Sequence, residues 1–509
     1  MEKVYIKDDD GNKVLPYTHV TAVLDNDGND LGSILGTMED DIAEIASMKK
    51  ETINISLSVS SGGLASDIIG TSITIRNREK TSEILYSGTW QGSTITVNLT
   101  AEYHYEIIFG SVTGYQTPVS DKYNAVFGNV RNVNVQYVYL SDAVDTFYID
   151  DTIDNSATKI SGQVNGIVIQ WIYAHTHRYL MKKTGDGTAA ICQLSDNDSN
   201  LFFDGQTTAY LNGNYGDVIR KLPPFYWSCT EISTHKFEVM LSLTNATGTM
   251  KLWDTNQVLG VYEAYATNGR LYSRSGVQSA GSLSQSTMKS YARARGTGYT
   301  LEKWCQHNIE ALLFYAKHGN TNSQGIIGSG TNDYQKATGQ TDSLGMEDTV
   351  NGGNGSTGSI NNLGCENRWG NKAEWIDNVV VDYDAGGNIF KITEDDGTVR
   401  NVVSCVGANA HTWPTKMILG ENFDLIPAPD NVVGGDSKGY CDSVYLSTAS
   451  SRVVFVSGSY AGSSGGVAYA DANYASSFSY ASIGGRLAFK GEITEFNDVQ
   501  AFIELSEVA

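Results

Sequence analysis

Proline and cysteine are scarce in these 509 residues, at 7 and 6, and basic side chains are outnumbered 35 to 57 by acidic ones. The six cysteines (Cys192, Cys229, Cys305, Cys365, Cys405 and Cys441) stand far apart with no CxxC pair. That spacing argues against a disulfide frame or a zinc site and for reduced, buried thiols. A net charge of -22 leaves nothing to neutralise nucleic-acid phosphates and would repel an anionic membrane. No apolar run approaches the ~20 residues that span a bilayer. The opening MEKVYIKDDDGNKVLPY lacks an apolar signal core, so Sec export is not expected. Catalytic signatures are missing too: there is no GxSxG elbow, HExxH helix, P-loop or GxGxxG in the required context. Paired carboxylates, as in DDDGN, sit at turns, although glycosidase carboxylates carry no local signature. No metal, cofactor or nucleic-acid partner is expected.

The chain is instead rich in glycine (53) and tyrosine (29), which with so few prolines predicts β-rich structure with many turns and aromatic surfaces. Length alone allows about three or four domains. Residues 1–30 hold two turn signals and too little apolar residue for a core, so they are expected to order only against a partner. In 31–50, Leu31, Leu35, Met38, Ile42 and Ile45 fall on a heptad seam. A short coiled-coil stalk and an amphipathic helix lying on its own domain both fit that spacing. From Thr52 the apolar period becomes two, as at Ile53, Ile55, Leu57 and Val59, which predicts a small antiparallel β-sandwich over 51–140. It reads as a spacer or, more sharply, as a carbohydrate-binding module. Residues 141–509 read as one large mixed domain with few helices, at 286–296 and 300–319.

Two constellations stand out in that domain. His175 and His177, in AHTHRYL, would share a face if both lay on a strand, but no third ligand stands at a telling distance. In LGCENRWGNKAEWIDNVVV, Trp369 and Trp375 straddle Gly370, with Glu366, Glu374 and Asp377 placed to cap turns or to accept from the indoles. Two large aromatics this close build a core more often than a site.

The pattern G-x-E-N-x-x-G-N-x-x-E-W-x-D, at Glu366, Asn367, Trp369, Gly370, Asn371, Glu374, Trp375 and Asp377, resembles the signature of the C-type lectin fold in formylglycine-generating enzymes and their non-catalytic relatives. KLPPFYW (221–227), LGVYEAY (259–265), RARGTGYTLEKW (293–304) and YAKHGNTNSQGIIGSG (315–330) extend the likeness to the variable proteins of diversity-generating retroelements, over roughly 200–509. The first 50 residues also resemble attachment peptides of tail fibres in phages of gut Bacteroidales. The resemblance implies an α+β, β-rich chain: a C-terminal C-type lectin-like domain preceded by a short coiled-coil helix and a sandwich. It further implies a phage receptor-binding tail protein, made in the host cytoplasm, trimeric, docked on other tail proteins through its N-terminus and binding a bacterial surface protein or glycan. The enzyme branch holds copper with a cysteine pair near the C-terminus; here Cys441 stands alone, and the histidine triad of the iron-dependent branch is absent. The chain is therefore not expected to be an enzyme.

Residues 452–487 fit the variable region of such proteins. They carry 8 Ser, 6 Gly, 6 Ala and 4 Tyr, with no Lys or Glu, the spectrum that adenine-directed mutagenesis of Asn codons leaves behind. Tyrosine offers large, rigid contact area while Ser, Gly and Asn adapt, as in antibody paratopes. Val453, Val454, Ile483 and Leu487 are expected to anchor the segment in strands. Ser457, Ser459, Tyr460, Ser464, Tyr469, Asp471, Asn473, Tyr474, Phe478, Tyr480 and Ser482 are the expected exposed, varying contacts. A Gly/Ser/Tyr-rich loop packing on itself is the plain alternative. The rival functions are a tailspike enzyme degrading capsular polysaccharide and a cell-surface lectin-like display protein.

Overall fold

The computed structural model describes residues 4–7, 13–17, 50–60, 63–78, 80–100, 104–118, 120–126, 128–140, 143–353, 357–384, 387–405, 409–428, 438–458 and 464–508. Strand is abundant and helix sparse, an α+β, β-rich architecture. Val4–Lys7 and Lys13–Tyr17 pair as an antiparallel hairpin. The helix expected over 31–50 lies outside the described residues, except Lys50. That residue opens a strand, because the pairing with Ile95–Thr100 runs on to a Lys50–Thr100 partnership.

Period-two apolar spacing turns Ile53, Ile55 and Leu57 of the strand Lys50–Val59 inward. Ile73, Ile75, Val97 and Leu99 do the same on their strands. The result is two four-stranded sheets around one core that also holds Trp90, Tyr105, Ile107, Phe109 and Tyr137. One feature departs from the expected antiparallel sandwich. Val130–Tyr139 runs parallel to Lys50–Val59, from Val130↔Thr52 to Tyr137↔Val59. The first and last strands of this unit are neighbours, and everything between them serves as the long crossover that a parallel pair requires.

Beyond it, an antiparallel five-stranded sheet (Ile160–Gly162, Val144–Asp150, Lys236–Ser242, Tyr226–Ser233, Lys251–Leu252) is covered by two helices, Ile167–Ala174 and Trp304–His318. The sequence pattern predicts the second of these, and its stop is as expected: Gly319 takes the left-handed conformation, φ 63°. The helix is not amphipathic, however. Gln306, His307, Asn308 and Glu310 are buried along with Trp304, Ile309 and Leu312, because sheets pack on more than one side of it. Cys305, expected on its buried face, is only partly covered. The helix Ile167–Ala174 went unread, since IVIQWIY is a run of strand-forming residues that only packing turns helical.

A 14-stranded mixed sheet is the largest sheet of the remainder, which also holds three smaller ones. Its central order is Ala470–Ala475, Arg452–Val456, Ala373–Asp384, Ile483–Lys490, Gln257–Glu263. Residues 452–487 therefore supply three strands to the middle of a sheet, with Val453, Val454, Ile483 and Leu487 buried in them as expected.

Candidate functional site

Left-handed backbone explains the spacing of the tryptophan motif. Asn367, Gly370 and Asn371 have φ of 53°, 80° and 49°, and Asn and Gly tolerate that region best. A Cβ on Gly370 would also lie 2.8 Å from the Thr331 nitrogen. All of Glu366, Asn367, Trp369, Gly370, Asn371, Glu374, Trp375 and Asp377 are buried. The two indoles enter different cores. Trp369 packs edge-on to Phe314 of the long helix, and Trp375 edge-on to Phe455 of the strand Arg452–Val456. Their N–H groups donate to backbone carbonyls, Gly328 at 2.8 Å and Leu283 at 3.3 Å, rather than to the neighbouring carboxylates.

Those carboxylates are held by arginines and backbone instead. The Arg486 guanidinium, fully buried, donates to both oxygens of Glu374 and to the carbonyls of Gly260, Val261 and Glu366. Arg368 bridges Glu374 to Glu302 at 2.6 Å and to Glu310 at 2.6 Å, and Arg220 closes on Glu310. Three cations thus face three carboxylates away from water, an arrangement that is stable only while complete. Glu366 accepts from Gly339 and Thr341, and burial, reinforced by Asp342, pushes its carboxyl up to about 7. Asp377 accepts from the Leu301 amide and pairs with Lys289 and Arg293. Asn378 caps the long helix through the Trp304 amide at 2.9 Å.

This frame carries the C-terminal segment. A transverse row of paired residues, His411, Tyr445, Asp471, Phe455 and Trp375, crosses four strand junctions of the sheet. From it an aromatic ladder climbs outward. Trp375 meets Phe455 at 5.3 Å, Phe455 meets Tyr474 at 6.0 Å, Tyr474 lies flat on Phe478 at 3.7 Å, and Phe478 stacks with Tyr480 at 6.4 Å. Trp375 is fully buried and Tyr480 is 58% exposed, so the ladder runs from core to solvent. Parallel stacking of this kind adds ~0.5–1.5 kcal/mol per pair to the burial itself.

The expected contacts divide accordingly. Tyr480 is exposed, and Ser464, Asn473, Tyr474 and Phe478 are partly so. Ser459 and Tyr460 lie outside the described residues. Ser457, Tyr469, Asp471 and Ser482 are buried, contrary to their expected exposure. Tyr469 is drawn under because the turn before it is pinned: Asp442 accepts from the Gly466 and Ala468 amides, and Ser323 from Val467. Its ring lies between His411 and Phe455. Ser457 sits at φ 60° at the end of its strand, and the adjoining Gly458 carbonyl accepts from the Gly370 amide of the tryptophan motif. Asp471 stands in the paired row between Tyr445 and Phe455, accepting from the Asn473 amide; burial pushes its carboxyl up to about 7. The Ser482 carbonyl accepts from the Ala373 amide at the sheet's parallel junction.

Sequence reasoning missed His411, Trp413 and Tyr445, which join the patch from outside 452–487. His411 pairs with Tyr445 and stacks on Tyr469, and the Trp413 indole donates to Ser464. It also missed Arg486, for which a lone cation in the small-residue run SIGGRL was the available signal. His175 and His177 do not share a strand: His175 ends the Ile167–Ala174 helix and His177 opens a strand. Among the described residues no group of three or more His, Cys, Asp or Glu is placed to hold a metal, and no helix is long and apolar enough to cross a membrane. Cys192, Cys229, Cys305 and Cys365 are free thiols.

No protein-family model matches the chain, and neither does any curated protein. Among solved structures, the TIE protein of Bacillus anthracis is similar over 34% of this chain and 28% of that one, at 12% identity and a TM-score of 0.16. This chain therefore spans just over a quarter of that protein, and a likeness so low carries no argument about fold or function.

Proposed function

We propose that this chain is a receptor-binding protein of a phage tail, meeting a bacterial surface molecule through the C-terminal patch that ends in Phe478 and Tyr480. The carrying observation is the aromatic ladder from buried Trp375 to exposed Tyr480, mounted on central strands of a large sheet. Rings held this way lose little entropy on contact, which is what a binding surface needs. In this reading 141–509 is a C-type lectin-like domain with its variable region at 452–487, three copies converge, and the N-terminal 1–50 joins the chain to the tail. Changes at Ser464, Asn473, Phe478 and Tyr480 would alter contacts at small cost to the frame. Tyr469 and Asp471 would be confined to residues that fit beneath the patch.

The test is to label the purified full chain and titrate it onto a panel of Bacteroidales isolates, read by flow cytometry. Saturable labelling of some isolates and none of others is expected. Labelling of no isolate, or of all equally, counts against the reading. Release of new reducing ends from the capsules would replace it with a tailspike hydrolase.

A further inference from the structure

A cleft of about 850 Å³ separates the sandwich from the body that follows, within the size range of built ligand sites. One wall is formed by the strands Asp121–Asn124 and Val130–Tyr139; the other by the Ile167–Ala174 helix and the segment 193–206. No residue of 452–487 lines it.

Both walls carry carboxamides: Gln116, Asn134 and Gln136 on one, Gln170, Gln193 and Gln206 on the other. A carboxamide donates and accepts at once, the pairing that adjacent sugar hydroxyls require. Both cations that line the cleft are already committed. Lys122 lies over the Phe203 ring and pairs with Glu495, and Arg131 lies over Tyr123 and pairs with Glu51. Asp196 accepts from His177, and Asp204 from Thr207 and the Gln206 amide. An anionic polymer would have to break those pairs. Aromatic rings line it too, Phe203 and Tyr123 lying under those cations. His175 stacks on Trp171 at 4.3 Å, and its Nδ1 bonds the Trp171 carbonyl, so Nδ1 carries the proton and Nε2 is left as an acceptor.

We propose that this cleft binds a neutral oligosaccharide of several rings, through hydrogen bonds to its carboxamides, independently of the C-terminal patch. It would give the protein a second contact with a glycan-coated cell, adding avidity to the patch without sharing residues with it.

Isothermal titration of the full chain with hexasaccharides prepared from mannan, glucan and galactan, and with a heparin hexasaccharide, tests this. At least one neutral probe is expected to bind with a Kd of about 1 mM or tighter, and heparin not to bind. Gln170→Ala with Gln193→Ala should weaken that binding about tenfold or more, and Tyr480→Ala should leave it unchanged. If the double variant melts early, Asn134→Trp, which fills the cleft from the opposite wall, must abolish binding instead. Saturation by none of the neutral probes, preference for heparin, or unaltered binding in the cleft variants overturns the proposal.

Discussion

Asp471 holds a carboxyl beneath the patch at a folded-state pKa of about 7, and desolvation is the main cause. The unfolded carboxyl titrates near 3.8. Between those values the unfolded chain has released this proton while the folded chain keeps it. The Asp471 contribution to stability therefore falls as pH rises from about 4 to about 7, and is level beyond. Asp471→Asn keeps the acceptor for the Asn473 amide and removes the titration. Its melting temperature should exceed that of the wild type by about 2–5 °C at pH 8, with the difference shrinking toward pH 5, as read by calorimetry. Glu263, Glu366 and Asp442 also titrate near 7 when folded, so the wild-type slope is reduced rather than abolished. A difference independent of pH would contradict the assignment. At this scale the sequence identified Tyr480 as a surface residue but misread Asp471 and Tyr469. Alternation alone puts Asp471 and Tyr474 on opposite faces. The shift between Val453↔Tyr474 and Phe455↔Asp471 is a bulge that brings both to the same face. Nothing in YADANYA announces it.

Among elements, the strands Ala373–Asp384 and Ile483–Lys490 run parallel side by side, from Ala373↔Ile483 to Trp375↔Gly485. Glu374 and Arg486 join them by charge. Glu374→Gln removes one negative charge from a buried set of three arginines and three carboxylates and should cost about 3–5 kcal/mol, measured as a shift of the denaturant midpoint at constant slope. A loss under about 1 kcal/mol would mean that the cluster is hydrated rather than dry. The tryptophan motif was legible as a buried signature because two large aromatics stand close together in it, whereas its left-handed backbone at Asn367, Gly370 and Asn371 came only with the fold. The arginines that complete it come from 220, 368 and 486, and only the fold brings those positions together. The long helix was legible from its apolar content and its Gly319 stop, whereas the Ile167–Ala174 helix was hidden by β-branched residues that read as strand.

For the whole molecule, the sandwich owns its core: Ile53, Ile73, Trp90, Tyr105 and Tyr137 belong to one apolar cluster drawn, among the described residues, from 53–139. The fragment 50–140 should therefore fold alone and give a dispersed amide NMR spectrum; a collapsed spectrum would mean that its cleft-facing side needs the neighbouring body. The period-two pattern made this unit readable, but not the parallel pairing of its end strands, since strand direction leaves no mark on alternation. The central claim concerns the other end of the chain, where rings standing on a rigid sheet meet a foreign cell. It is tested most directly by titrating labelled full chain onto an isolate that it labels, comparing wild type with Phe478→Ala/Tyr480→Ala. The account predicts a loss of about tenfold or more in apparent affinity, with a melting temperature lowered by no more than about 5 °C. Equal binding by the two proteins would contradict it.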